Sequence, residues 1–289
     1  MSRSAQNFSV SPPVKMRLLE QGWEVWVNLS YYSMGFLELF APGRVELRGS
    51  GTLVRIGKTS GILTAAHVWR TIRELPTVGL YLYPPRKLEV QSIREDPRLM
   101  DAVTFENDSD DALGPDIAFI RLTPSKAASV EKHAAFLSLE KDEHRALVGG
   151  PAECVTRDIV VGGVEALGQK INIYEEKQLV IQNSLANVGF ATAIDDGREG
   201  FDRLEFTPEP VPDYVFPDSY GGMSGGGCFR VYFPRVEGSD NQPISFHLLG
   251  VAFFQTKLDG KAHTIICHGR RSLMDKLLPA VRAKWPNDG

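Results

Sequence analysis

Cysteine is scarce in this 289-residue chain. Three thiols stand at Cys154, Cys228 and Cys267, with no Cys-x-x-Cys spacing among them. An odd, sparse set of this kind offers neither a disulfide framework nor a zinc ribbon, and the three read as buried small hydrophobes. Long apolar runs are missing as well, so no segment is suited to crossing a bilayer. The start, Met1 to Val14, is polar, carries Pro12-Pro13 and lacks an apolar core of signal-peptide length. The expectation is a cytoplasmic protein that is not a membrane partner. There is no run of Lys or Arg, and the net charge is −4, so nucleic acid is not an expected partner either. No His, Cys, Asp and Glu cluster has metal-ligand spacing. The acidic stretch Glu106 to Asp111 departs from the EF-hand pattern and reads as a solvated loop. No metal and no cofactor is expected.

What the chain does have is short strands punctuated by turns. Trp23, Val25, Val27 and Leu29 alternate with more polar neighbours, the period of a half-buried strand. Gly51 to Ile56 and Ile62 to Ala65 flank a turn at Gly57 to Gly61 and predict a hairpin. Further strands are expected at Gly79 to Tyr83, Ile117 to Leu122, Gln178 to Gln182, Phe229 to Phe233, Phe246 to Phe254 and Thr264 to Cys267. Strands without long interleaved helices indicate barrels or sandwiches rather than a parallel sheet. One helix is expected near the end. Leu273, Met274, Leu277, Leu278, Val281 and Trp285 recur at helical spacing after a candidate cap, Ser272, and Pro279 should kink or divide it.

Three segments carry chemistry. Leu63-Thr64-Ala65-Ala66-His67 delivers a His after two small residues. Gly114-Pro115-Asp116-Ile117-Ala118-Phe119 sets an Asp at the mouth of an apolar strand, where a carboxylate drawn inward needs a partner such as an imidazole N–H. Tyr220-Gly221-Gly222-Met223-Ser224-Gly225-Gly226-Gly227 embeds a Ser in glycines, whose backbone can adopt positive φ and aim N–H groups at a substrate. A Walker A phosphate loop is excluded, because no Lys-Ser/Thr pair follows the glycines.

Together the three segments resemble the trypsin and chymotrypsin family, which reads Thr-Ala-Ala-His, Asp-Ile-Ala-Leu and Gly-Asp-Ser-Gly-Gly in that order. Other folds with a triad use other orders. The lead-in Ser50-Gly51-Thr52-Leu53-Val54 is similar to the family strand before the His hairpin, and the resemblance spans Gly49 to Trp285. It implies an all-β fold of two antiparallel Greek-key β-barrels with a C-terminal helix. The expected units are a flexible segment 1–15, a first barrel 16–130, a second barrel 131–268 and a helix and tail 269–289. It also implies a serine endopeptidase with His67 as base, Asp116 as its orienting acid and Ser224 as nucleophile. The N–H groups of Gly222 and Ser224 would form the oxyanion hole. The implied partner is a protein or peptide substrate.

Departures from the family pattern shape further expectations. Met223 stands where zymogen-activated members keep an Asp, and the look-alike Val160-Val161-Gly162-Gly163 follows His67 and Asp116 in the chain. Control by a regulatory protein partner is therefore expected in place of N-terminal cleavage. No accessory domain is expected after Trp285. Asp218 lies six residues before Ser224 and is followed by Ser219, the trypsin-type arrangement for the floor of a pocket that takes Arg or Lys. The wall strand containing Phe253 ends in Gln255 where trypsin-type members keep Gly, which would narrow the entrance. His263 is a candidate for a pocket that takes acidic residues. Two rival readings stand beside the protease: a protease fold that binds peptides without cutting them, and an esterase. The esterase frame Gly-x-Ser-x-Gly matches Gly222 to Gly226, but that fold places its His after its Ser and needs a parallel sheet.

Overall fold

The computed structural model describes residues 21–40, 45–83, 91–107, 114–142, 154–174, 177–181, 184–209, 216–234, 245–256 and 263–286. Segment 1–15 and most of the acidic loop, 108–111, lie outside them. Two antiparallel systems carry the site. The first is a sheet built from β1 (Ser33–Leu39), β2 (Val45–Ile56), β3 (Thr59–Thr64), β4 (Val78–Leu82), β5 (Gln91–Glu95), β6 (Asp101–Glu106) and β7 (Asp116–Arg121). Its strand path is β5-β4-β1-β2-β3-β7-β6, and β8 (Leu137–Ser138) adds to β2 in parallel. The second is a closed barrel. After β9 (Cys154–Gly163) and a separate hairpin of β10 (Gln169–Tyr174) and β11 (Lys177–Ile181), its remaining strands are β12 (Ser184–Asp196), β13 (Asp202–Pro208), β14 (Gly227–Pro234), β15 (Ser245–Gln255) and β16 (Ile265–His268).

The expected pair of closed barrels is thus met by one closed barrel and one sheet whose ladder does not close among the described residues. The pairing order of the two is nevertheless the same. Counted in chain order, the barrel ring runs first, second, third, sixth, fifth, fourth. The sheet follows that order too if β5 and β6 are taken as one strand, bent at the short 3-10 turn Pro97–Leu99.

One apolar core spans both systems. Val54, Leu63 and Phe119 from the sheet pack with Val161, Phe229 and Val251 from the barrel, all of them fully buried. Each such side chain contributes about 1.5–3 kcal/mol on burial. The C-terminal helix fills the same core through Leu273, Leu277, Val281 and Trp285, whose ring lies 5.9 Å from that of Phe119. The helix begins as a π turn, Ser272–Leu277, and continues as an α-helix, Leu278–Lys284. The division falls where Pro279 removes a backbone donor. Ser272 is not the cap. Its own N–H and hydroxyl donate to the Asp202 carboxylate at 2.7 Å, so a barrel side chain caps the helix instead.

One expected strand is a helix. Residues Gln21–Ser30 form α1. Period two and period 3.6 share the i, i+4 relation, so the pair Val25 and Leu29 suits either. Both are buried against the common core. A second helix, α2 (Ala66–Ile72), carries no sequence signal, since seven residues are too few to show a period. The stretch after β7 forms α3 (Pro124–Glu131), which begins with Pro in its first turn as helices favour. All three cysteines are free; Cys228 and Cys267 are buried as expected, and Cys154 is half-buried.

Two barrel histidines set a pH dependence of stability. Burial pushes His247 and His268 each down to about 4. The unfolded chain takes up these protons near pH 6.5 and the folded one does not. The stabilisation is therefore complete above about pH 6.5 and is lost as pH falls from there to about 4, by about 2–3 kcal/mol per histidine. Urea unfolding at pH 7 and pH 4.5 should show this loss, and His247→Phe should reduce it by about half. Equal stability at the two pH values would contradict it.

Candidate active site

β3 and β7 bring the first two chemical segments together. Their register pairs Thr64 with Ala118. Carried two residues further it sets Ala66 against Asp116, and α2 starts there. The helix buries Ala66, Val68, Trp69 and Ile72. His67, Arg70 and Thr71 are left on the face that lines a cavity of about 560 Å³. Both Asp116 oxygens are committed to His67. Oδ1 accepts from the His67 backbone N–H at 2.8 Å, and Oδ2 lies 2.6 Å from Nδ1. A carboxylate can only accept here, so Nδ1 carries a proton, and in the neutral ring Nε2 keeps its lone pair.

Ser224 lines the same cavity from the barrel side, with Tyr220, Gly221, Met223, Phe253 and Gln255. Its hydroxyl donates to the Phe253 carbonyl at 3.4 Å rather than to His67. The segment around it is held through almost all of its backbone groups. Each carbonyl from Tyr220 to Gly225 has a donor: Met223 N–H, Glu165 N–H, Ser50 Oγ, Gly226 N–H, Ser50 N–H and Thr52 Oγ1, in chain order. The N–H groups of Tyr220, Gly221, Met223 and Gly225 are likewise engaged. Those of Gly222 and Ser224 have no acceptor among the described residues. Gly222 itself does not line the cavity; its neighbours on both sides do. Because Gly221 O is held by Glu165 N–H at 2.8 Å, the Gly222 N–H of that planar trans peptide points away from Glu165.

The glycines are required by this geometry. Gly222 and Gly225 have φ of +91° and +92°. A Cβ on Gly225 would lie 1.9 Å from Ser50 O, so β2 and the Ser224 segment touch backbone to backbone.

The specificity residues fare differently. Asp218 and Ser219 are exposed, and neither lines the cavity. The expectation of a buried carboxylate at a pocket floor is not met. The turn signal Pro217-Asp218-Ser219 reports a surface turn, where Asp and Ser are common for local reasons. His263 does not line the cavity either. Its two ring nitrogens each lie 2.6 Å from a backbone carbonyl, Thr256 O and Asp218 O, which leaves no ring nitrogen for an acidic ligand. Phe253 and Gln255 do line it. Gln255 spans from the end of β15 to the 219–221 segment. Its Oε1 accepts from Tyr220 N–H at 2.7 Å and its Nε2 donates to Ser219 Oγ at 3.1 Å.

Sequence reasoning did not single out Ser50, Glu165 or His268 for roles at the site, or the pair of Arg70 and Glu106 at the cavity rim. Ser50 falls within the lead-in strand the sequence did mark. The others carry no sequence signal, because their contacts come from segments far apart in the chain. No group of three or more metal-ligating side chains occurs among the described residues, and no helix among them is long and apolar enough to cross a membrane. Comparison with protein-family models and with curated protein sequences finds no match to either.

Proposed function

We propose that this chain is a serine endopeptidase of the trypsin and chymotrypsin type, acting through His67, Asp116 and Ser224. One observation carries the reading. In a backbone segment where every carbonyl is occupied, the two N–H groups without an acceptor among the described residues belong to Gly222 and Ser224. The second is that of the serine itself, which shares a cavity with an imidazole oriented by a carboxylate. Both residues are half-buried, so these N–H groups are open to an acceptor that enters from outside the protein. In this reading the acceptor is the oxyanion of a tetrahedral intermediate, and each donor is worth about 3 kcal/mol in the transition state. The shared strand order of sheet and barrel also supports a duplicated Greek-key architecture with the site between the halves.

The proposed steps follow from the residues. His67 Nε2 takes the Ser224 proton as the hydroxyl attacks the scissile carbonyl, then gives it to the leaving amine. Asp116 keeps Nδ1–H in place and stabilises the imidazolium. Water then attacks the acyl-enzyme by the same route, and Ser224 regains its proton. Met223 is buried in an apolar cluster with Val160 and Val164, and Ser50 holds the segment that an N-terminal ammonium orders in zymogen-activated members. Regulation by a protein partner fits this arrangement.

A second reading has one observation in its favour: the Ser224 hydroxyl bonds Phe253 O and not His67. A peptide-binding module that does not cut would look this way, although catalytic hydrogen bonds are often formed only with substrate bound. A fluorophosphonate probe separates the two. Labelling is expected at Ser224 and absent in Ser224→Ala, and Asp116→Asn should lower kcat about 10⁴-fold. No labelling under any condition would favour the binding module.

The bridge made by Gln255 gives a specificity expectation. Its side chain fills the space between β15 and residues 219–221, so small residues are favoured on the N-terminal side of the cut. Gln255→Gly should raise kcat/KM for bulky apolar residues at that position by about tenfold or more, the scale of one or two methylenes in a pocket. A peptide library showing the same profile for both proteins would overturn this.

A further inference from the structure

His268 ends β16, fully buried, and the mechanism above does not use it. Two contacts give it a place. Its Nε2 accepts the Asp116 backbone N–H at 2.9 Å, a link from a barrel side chain to the residue that orients His67. Its ring also stacks on that of Phe253, with centroids 4.0 Å apart and an interplanar angle of 11°. Phe253 is the extra residue of a β-bulge. The β15–β16 ladder pairs Ala252 with Cys267 and Phe254 with Ile266, and passes over Phe253. Bulges re-aim a residue, and this one sets the Phe253 ring against His268 and its carbonyl toward the Ser224 hydroxyl.

We infer that His268 is a positioning residue for this site: one imidazole holds Asp116 by its backbone and, through the Phe253 ring, the carbonyl that receives Ser224. It thereby fixes the acid from the sheet and the nucleophile from the barrel relative to one another. The inference rests on the site reading above for its effect on catalysis, but not for its effect on the His67–Asp116 pair. To accept from a backbone N–H, Nε2 must carry a lone pair, so the ring is neutral with its proton on Nδ1. Burial pushes its titration down to about 4. Asp116 and Asp202 favour its charged form, and burial, the largest effect, opposes it together with Arg203. The acceptor is therefore present throughout the neutral range.

The test uses the full chain and reads the downfield proton resonance of His67 Nδ1–H, which reports its bond to Asp116 whether or not the protein cuts peptides. His268→Phe keeps a ring against Phe253 and removes the acceptor. It should shift or broaden that resonance and lower kcat about 10- to 100-fold, with KM changed less than threefold. His268→Gln offers an acceptor again and should recover part of both. A folded His268→Phe protein with an unmoved resonance and unchanged kcat would overturn the proposal. If the wild type neither labels nor cleaves, the functional reading fails, and the resonance shift alone decides the role of His268. If neither variant folds, ¹⁵N-labelled histidine in the wild type decides: a proton on Nδ1 and a hydrogen-bonded, unprotonated Nε2 are expected, and a proton on Nε2 would overturn the proposal.

Discussion

Ser50 makes four hydrogen bonds, and two of them join the first sheet to the segment that carries Ser224. Its N–H donates to Ser224 O at 2.7 Å and its hydroxyl donates to Gly222 O at 2.6 Å. The same hydroxyl accepts from Gly163 N–H, and its carbonyl accepts from Thr64 Oγ1, both at 2.7 Å. The residue is fully buried, so each partner left without it would be an unsatisfied polar group costing about 1–3 kcal/mol. Through these bonds the chain just before His67, the end of β9 and the glycine-rich segment behave as one framework. The approach is close enough that only glycine fits at 225.

The cavity is built on that framework from opposite sides. α2 presents His67 from the sheet, and the register of β3 and β7 delivers Asp116 to it. The barrel presents Ser224 and the bulged Phe253, and His268 reaches back across to Asp116. Packing supports this arrangement, since sheet, barrel and C-terminal helix share one apolar core. A change that loosened either half would therefore be felt in the relative placement of Ser224 and His67; under the proposed function an error of about 1 Å there costs on the order of 10²-fold in rate.

Much of this was legible in the sequence, and the gaps have physical causes. The strands at Ile117 to Leu122 and Phe246 to Phe254 showed themselves by apolar runs between turn residues, and β7 and β15 lie there. His67, Asp116 and Ser224 stood out because each sits in a distinctive local segment, and all three line one cavity. Trp23 to Leu29 misled because alternation and helical spacing coincide at i, i+4. Asp218 misled because a spacing rule cannot distinguish a buried carboxylate from one in a surface turn. Gln255 was read as narrowing an entrance, and its bridge to Tyr220 and Ser219 fits that reading. Ser50 and His268 act through backbone groups more than 100 positions away. Contacts of that kind leave no local pattern for a single sequence to display.

The most direct measurement is a crystal structure of the chain soaked with a small peptide boronate. A covalent bond from Ser224 Oγ to boron is expected, with one boron oxygen within hydrogen-bond reach of both the Gly222 and Ser224 N–H groups and His67 Nε2 turned toward the adduct. Gly221 O should stay on Glu165 N–H. A boronate bound without the Ser224 bond, or a Gly221 carbonyl turned into the place of the oxyanion, would contradict the account.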